Sequence, residues 1–454
     1  MLFSMDEFRA FEPKKTTYAL FGWPLGHTMS PELHAQLFEA SGQDADYIGV
    51  AVPPEDLPEA FELAKRKLGG INCTIPHKKA VIPLLDDIDT AARDLHSVNT
   101  VRFADGKATG FNTDILGFAE SLNRDGVSLQ GKKVLLLGYG GAASVMAYHC
   151  VTQGAYLTIT GRNLEKAEAL QKQLTDAVPG ARISVFSRRH IPRDIHIVLN
   201  STPVGMYPNV GVSALDITSM PGLEAVIDVI YNPDKTELIL RAEELGVPVA
   251  VGGLEMLVAQ AVYAAEFFLD RKFEDAGAEI ARVTSELRRE QLNIALIGMP
   301  SSGKSTLGRA LAERLSKRFV DLDEEIVKAD GRSIPDIFAA EGEAGFRKLE
   351  AAQTARFARE NRQVISCGGG VVKDPANLRA LHANGIVLFI DRPLEDLLVG
   401  GGRPLSTSPE ALKTMEAQRR PLYLAAADAV IPNKTTPADA VTAAMEALDE
   451  IFSH

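Results

Sequence analysis

The chain has 454 residues, of which 46% are hydrophobic and 24% charged, with a formal net charge of −12. That length holds two or three domains with cores of their own. The acidic balance excludes a general nucleic-acid binder, so any anion site must be a local cluster of basic groups. The cysteines Cys73, Cys150 and Cys367 lie far apart, which suggests neither a disulfide framework nor a zinc site and fits a reducing, cytoplasmic setting.

The opening MLFSMDEFRAFEPKK has early acids and no apolar run, so it does not read as a signal peptide. From there, short apolar runs alternate with helical patterns. YALFG, YIGVAV, INCTI, KVLLLG, AYLTIT, DIHIVLN and AVIDVIY read as strands. PELHAQLFEASG, PPEDLPEAFELAKRKLGG and NLEKAEALQKQLTDA read as helices between them. Such alternation predicts α/β layers with parallel sheets. The most apolar long stretch, residues 247–269, is interrupted by Pro248, Gly252, Gly253, Glu255, Gln260 and Glu266. It reads as a buried strand, a turn and a partly buried helix, not as a membrane span. A charged, helix-forming segment then breaks the alternation. It marks a linker over 272–291, or the last helix of the first domain, ahead of the strand-like NIALIG.

GGINCTIPHKKA sets Asn72, Thr74 and Lys78 at a strand-to-helix turn, SVNTV carries Asn99, and GFNTDILGF carries Asp114. Singly these have plain readings: Lys78, beside Lys79, as a solvated helix start, and Asp114 as a helix N-cap. KVLLLGYGGAAS is strand, glycine turn and helix, and its Gly138-x-Gly140-x-x-Ala143 fits the dinucleotide fingerprint. An NAD enzyme carries an acid about twenty residues on, at the end of the second strand, for the ribose 2′-hydroxyl. TITGRNLEKA instead offers Arg162 and Lys166 with no acid ahead of them. Positive charge suits a 2′-phosphate, which favours NADP over NAD and over a bare, exposed helix start. Tyr139 is unusual at a turn where a small residue is the rule; it either crowds the pyrophosphate or faces solvent.

Further on, Gly298-Met-Pro-Ser-Ser-Gly303-Lys304-Ser305 matches G-x-x-x-x-G-K-[ST] between the strand NIALIG and the helix KSTLGRALAERL. Glycines let backbone N–H groups curl toward phosphate, the lysine neutralises its oxygens and the serine hydroxyl holds Mg²⁺. Ser301, Ser302, Gly303, Lys304, Ser305 and Thr306 are the predicted ATP contacts. FVDLDEEI sets Asp321 and Asp323 at the end of a strand, two apart and so on one side. One acid can hold the metal and the other hold or deprotonate an acceptor hydroxyl, unless with Glu324 and Glu325 they form a solvated turn. GEAGFRKLE puts Arg347 and Glu350 on one helical face. ISCGGGVV lets backbone at Gly368, Gly369 and Gly370 approach a small ligand, GGGRPLS offers Arg403, and QRRPLY offers Arg419 and Arg420.

Residues 292–454 resemble shikimate kinase: the phosphate loop, D-x-D, GRSIPDIFAAEGEAGFRKLE, GGG, R-P-L and R-x-P-L-Y occur together. The resemblance implies that Lys304 and Ser305 serve ATP and Mg²⁺ and that Asp321 supports the metal. It implies that Asp323 grips the shikimate hydroxyl and can act as base, that Arg347 and Arg419 hold the carboxylate, and that Gly369 supports the ring. Arg403 is then a lid residue facing the phosphates. The lid stretch PLEDLLVGGG departs from the family, with Glu395 and Asp396 and no further basic residue.

Residues 16–270 resemble shikimate dehydrogenase through FGWPLGHTMSPELHAQLF, GGINCTIPHKKA, SVNTV, GFNTDILGF, the glycine turn, NSTPVGMYP, DVIYNPDKTEL and GGLEMLVAQA. This implies reduction of the 3-keto group of 3-dehydroshikimate by NADPH, with Lys78 as acid/base and Asp114 as its partner and a hydroxyl ligand. Thr28 and Ser30 would meet the carboxylate. Thr74, Asn99, Tyr231 and Gln260 would frame the ring, and Gly253 would give close backbone approach. Gly138, Tyr139, Gly140, Gly141, Ala142, Gly161, Arg162, Asn163, Lys166 and Val229 are the implied NADP contacts. Thr28 and Cys73 stand where the family usually has serine and valine.

The two resemblances predict an α/β chain running two successive steps of the shikimate pathway. A substrate-binding domain, 1–115 completed by 253–270, precedes a Rossmann NADP domain, 116–252, a helical linker, 272–291, and a P-loop kinase with a parallel sheet, 292–454. The expected cofactors are NADP(H), ATP and Mg²⁺; the expected partners are small molecules, not nucleic acid or membrane. Two other classes stay open: a dehydrogenase carrying an ATP-sensing module, motivated by the acidic lid, and an NAD-linked quinate dehydrogenase, which Arg162 and Lys166 oppose.

Overall fold

The computed structural model describes residues 2–26, 28–397 and 408–453. The chain forms two compact units. The first takes in 1–203, 214–231 and 241–284; the second takes in 204–213, 232–240 and 285–454. The stretches 204–213 and 232–240, read from sequence within the NADP domain, thus belong with the second unit.

The first unit holds two sheets. One is built from β1 (Leu2–Phe3), β2 (Thr16–Gly22), β3 (Ala45–Ala51), β4 (Gly70–Cys73), β5 (Asp87–Ile88), β6 (Thr100–Ala104) and β7 (Lys107–Phe111), in the order β1-β3-β2-β4-β6-β7-β5. It is mixed, not parallel as expected, because β6 pairs antiparallel with both β4 and β7. Its core gathers Phe8, Phe21, Val50, Phe61, Ile71 and Val101.

The other sheet contains β8 (Lys133–Leu137), β9 (Tyr156–Gly161), β10 (Arg182–Ser187), β11 (Ile197–Asn200), β12 (Ala225–Asp228) and β13 (Val249–Val251). All its pairings are parallel, in the order β10-β9-β8-β11-β12-β13. Helices cover both faces of such a sheet, which is why Val134–Leu137 is apolar throughout and buried. The strand order reverses between β8 and β11, and ligands of open α/β sheets bind at the carboxyl ends there. The apolar stretch 247–269 becomes β13, a turn and the helix Leu254–Leu269. That helix packs closely on the helix Thr113–Arg124: a Cβ at Gly117 would lie 2.8 Å from both Met256 O and Gln260 N. Among the described residues no helix is long and apolar enough to cross a membrane.

The charged segment forms one helix, Ala276–Gln291, and the division between units falls inside it. The second unit has a parallel sheet of β14 (Asn293–Ile297), β15 (Arg318–Asp321), β16 (Gln363–Ser366), β17 (Gly385–Asp391) and β18 (Ala429–Pro432). Its order is β15-β16-β14-β17-β18, so the fully buried β14 lies at the switch point. All three cysteines are free and buried.

Candidate active sites

Lys78 lies in the short helix His77–Ala80 after β4, and its carbonyl accepts from Val98 N at 2.8 Å. That bond joins two of the sequence motifs. Lys78 Nζ donates to Asp114 Oδ2 at 2.6 Å, and Asn99 Nδ2 donates to Asp114 Oδ1 at 2.9 Å. Both charged side chains keep partial exposure, 28% and 17%. The N-cap of the helix Thr113–Arg124 is Asn112, so the capping alternative for Asp114 fails. Its carboxylate instead faces Lys78 and Asn99 from the helix's positive end. Asn99 is held in turn, accepting from Thr113 N at 2.8 Å.

The other ring-framing candidates are less concentrated. Thr28 Oγ1 donates to Ser30 Oγ at 3.2 Å at the start of the helix Ser30–Ala40. The Thr74 methyl lies where a Cβ at Gly22 would be, 2.5 Å from that position. Tyr231 is exposed, and Gln260 Nε2 donates to Leu257 O at 2.8 Å. At Gly253 the close approach is to the Val229 backbone: a Cβ would fall 2.1 Å from Val229 O. Asn72, grouped by sequence with Thr74 and Lys78, is instead buried, accepting from Tyr47 OH at 2.7 Å and donating to Thr100 Oγ1 at 2.9 Å.

After β8 the chain makes the predicted glycine turn. Gly138 has φ 117°, and a Cβ there would lie 2.4 Å from Ser201 Oγ, so only glycine fits. Gly140 caps the helix Gly141–Thr152, and a Cβ at Gly140 or Gly141 would meet nothing within 4 Å. Ala142 follows in the first helical turn. An open helix N-terminus of this kind suits a pyrophosphate. Arg162 is exposed just after β9 and Lys166 is exposed in the first turn of the helix Leu164–Ala177, which Asn163 caps, accepting from Lys166 N at 3.0 Å. Tyr139 neither points to solvent nor stands free over the turn; it is partly buried against the core, with its ring on Gly161. Sequence reasoning missed a supporting network beneath the turn. Asn200 Nδ2 donates to both oxygens of the buried Asp228 at 3.0 Å, and Ser201 Oγ donates to Leu137 O at 2.8 Å. The NST tripeptide was the available signal, but its role depends on the pairing of β11 with β8 and β12.

In the second unit a cavity of about 440 Å³ opens beside the phosphate loop. Ser301, Gly303, Lys304, Ser305 and Thr306 line it, facing Asp321, Asp323, Arg347, Gly369 and Arg419. Ser302 is buried instead, its carbonyl accepting from Asn433 Nδ2 at 2.7 Å. Lys304 Nζ donates to Gly298 O at 3.0 Å and Met299 O at 2.9 Å, and Ser305 Oγ donates to Asp321 Oδ2 at 2.6 Å. The two aspartates do not share a strand as expected. Asp321 ends β15 and caps the helix Leu322–Asp330, and Asp323 sits in that helix's first turn. The helix turn, not strand alternation, brings both to the cavity.

Arg347 Nη1 donates to Glu350 Oε2 at 2.6 Å, and Glu343 bonds its other side. Burial pushes the Glu350 carboxyl above its ordinary range, with Arg347 pulling the other way. Arg419 is buried and donates to Gly369 O at 2.8 Å. Arg420 turns away into a two-pronged pair with Asp391, at 2.7 Å for each bond. Arg403 lies outside the described residues.

Comparison with known proteins matches three family models to the chain. Residues 20–101 match the family model for the shikimate dehydrogenase substrate binding domain, 120–203 that for shikimate / quinate 5-dehydrogenase, and 300–449 that for shikimate kinase. The shikimate dehydrogenase (NADP(+)) of Carboxydothermus hydrogenoformans is 38% identical over 250 residues, 54% of this chain and 89% of that protein. The chain belongs to the shikimate dehydrogenase family. The family's member from Symbiobacterium thermophilum is 37% identical over 262 residues, covering 56% of this chain and 88% of its own. Among solved structures, shikimate 5-dehydrogenase from Thermus thermophilus, in complex with NADP(H) and shikimate, aligns with TM-score 0.52 and 30% identity over 59% of this chain and 99% of its own. A chorismate mutase/shikimate 5-dehydrogenase fusion from Clostridium acetobutylicum aligns with TM-score 0.55 and 32% identity over 61% and 99%. A shikimate dehydrogenase and a shikimate kinase domain thus stand in one chain.

Proposed function

We propose that this chain reduces 3-dehydroshikimate to shikimate with NADPH and then phosphorylates shikimate to shikimate 3-phosphate with ATP and Mg²⁺. The observation that carries the reading is the presence of two assembled polar sites: the 2.6 Å Lys78–Asp114 pair, and the cavity where Lys304, Asp323, Arg347 and Arg419 converge.

NADPH supplies the hydride for the 3-keto carbon. Lys78, as the ammonium, delivers a proton to the carbonyl oxygen as negative charge develops there, and Asp114 keeps that ammonium in place. In the kinase, Asp323 takes the proton of the attacking hydroxyl. Arg347 and Arg419 present planar guanidiniums to the carboxylate. The Ser305 hydroxyl and Asp321 carboxylate are hard oxygen donors that suit Mg²⁺. Bound there, Mg²⁺ would offset the negative charge of the nucleotide phosphates.

The test uses the full chain with 3-dehydroshikimate, NADPH, ATP and Mg²⁺, following NADPH by absorbance and products by mass spectrometry. Shikimate 3-phosphate forms, Lys78→Ala blocks only the first step, and Lys304→Ala leaves shikimate to accumulate. NADPH consumption with ATP untouched in the unmodified chain overturns the kinase assignment.

A further inference from the structure

The ring of Tyr139 lies over the end of β9. An ideal Cβ at Gly161 would sit 2.5 Å from Tyr139 Cε1 and 2.7 Å from Cδ1, far inside ordinary contact. The Gly161 backbone is not in the left-handed region, so the ring, and not torsional need, keeps this position glycine. Gly138 N donates to Thr160 O at 2.8 Å, which fixes the turn carrying Tyr139 against this strand end. Gly161 occupies the place where NAD enzymes of this fold carry the acid for the ribose 2′-hydroxyl. The neighbouring strand adds charge of the opposite sign. β10 pairs with β9 so that Ser187 lies opposite Gly161, and the exposed Arg188 and Arg189 follow it.

We propose that Tyr139 and Gly161 form a cofactor-selecting pair. The ring fills the volume through which an acidic side chain would reach a 2′-hydroxyl, and the strand end presents Arg162, with Lys166 one turn on, to a 2′-phosphate. Tyr139 is in this sense a positioning residue: it acts by what it excludes at Gly161. The inference rests on the NADP-linked dehydrogenase reading and names what sets that preference.

The experiment titrates NADP⁺ and NAD⁺ into the full chain without substrate for their Kd values, and measures kcat/KM for shikimate oxidation with each, for the unmodified protein, Gly161→Asp, Tyr139→Ala and the double variant. Gly161→Asp alone loses at least tenfold with both cofactors. The double variant regains turnover with NAD⁺, and its NADP⁺/NAD⁺ ratio falls at least tenfold below that of Tyr139→Ala. If Gly161→Asp alone shifts the preference as far as the double variant does, or if the double variant uses NAD⁺ no better than Gly161→Asp, the pairing is wrong. Should the aspartate prevent folding, Gly161→Ala replaces it. Its cost in kcat/KM with NADP⁺ is larger with Tyr139 present than with alanine at 139, and an additive cycle overturns the proposal. Failure of the unmodified chain to use NADP⁺ sinks the dehydrogenase reading itself, whereas an additive cycle in an active enzyme sinks only the pair.

Discussion

The turn after β8 and the turn after β14 begin alike. Gly138 and Gly298 have φ of 117° and 145°, and a Cβ at either would crowd a serine Oγ, that of Ser201 at 2.4 Å or Ser302 at 3.1 Å. Then they part. The first turn opens at Gly140 and Gly141 with no charged side chain of its own, offering backbone and a helix N-terminus. The second folds Lys304 back on its own carbonyls and ties Ser305 to Asp321. On the proposed function, the dehydrogenase separates holding from chemistry, leaving proton transfer to Lys78 and Asp114 beside a different sheet. On the same reading, the kinase loop would put charge and a metal ligand beside the phosphates, because transfer of a phosphoryl group is mostly positioning and charge stabilisation.

Chelating Mg²⁺ is the harshest test of that contrast. It reduces phosphorylation to background and leaves 3-dehydroshikimate reduction unchanged in the same sample, measured by NADPH absorbance and product mass. A parallel loss in the dehydrogenase would mean that the two turns do not differ as described. Next in size, Lys78→Ala lowers kcat for reduction by about 10²–10⁴ with little change in KM for NADPH, since the lysine follows β4, in a different sheet from the turn. A large rise in that KM would break the separation of holding from chemistry.

Much of this contrast could be read from sequence because each turn is local: strand, glycines and helix follow one another, and the torsions belong to the motif. Lys78 and Asp114 were legible as residue types, and the resemblance made them partners; the 2.6 Å contact itself rests on Asn99 and the Val98–Lys78 bond between separate segments. Asp323 was placed on a strand because two-residue spacing reads as alternation; Asp321 ends that strand by capping a helix. Tyr139 was left between two readings because its partner, Gly161, is brought to it only by the pairing of β8 with β9. The mixed character of the first sheet was available and missed. Asp105 and Gly106, at φ 51° and 73°, form the D-G turn between β6 and β7, a strong short-range hairpin signal.

Within the first turn, two alanines separate strain from recognition. Gly138→Ala forces a side chain into a left-handed torsion and onto Ser201, costing about 1–3 kcal/mol of stability and raising KM for NADPH. Gly140 has φ −84° and open space around its Cβ position. Gly140→Ala therefore leaves the melting temperature within about a degree or two, a shift worth less than about 0.5 kcal/mol, and still raises KM for NADPH, because a methyl group intrudes where the pyrophosphate approaches. Equal melting temperatures for the two variants would show that the first glycine is not strained as its φ requires.

The second turn has a side-chain amide bonded to a carbonyl within the loop itself, and removing it is the finest test. Asn433 is buried at the end of β18 and donates Nδ2 to Ser302 O at 2.7 Å. Asn433→Ala leaves that carbonyl without this donor, a loss of about 1 kcal/mol. Because the bond holds the loop and touches no reacting atom, the loss falls on KM for ATP, about fivefold, with kcat nearly kept. Reduction of 3-dehydroshikimate does not change. If kcat falls and KM does not, Asn433 shapes the transferring state and not the resting loop, and the kinase turn would then depend on its neighbour for chemistry as the dehydrogenase turn depends on Lys78.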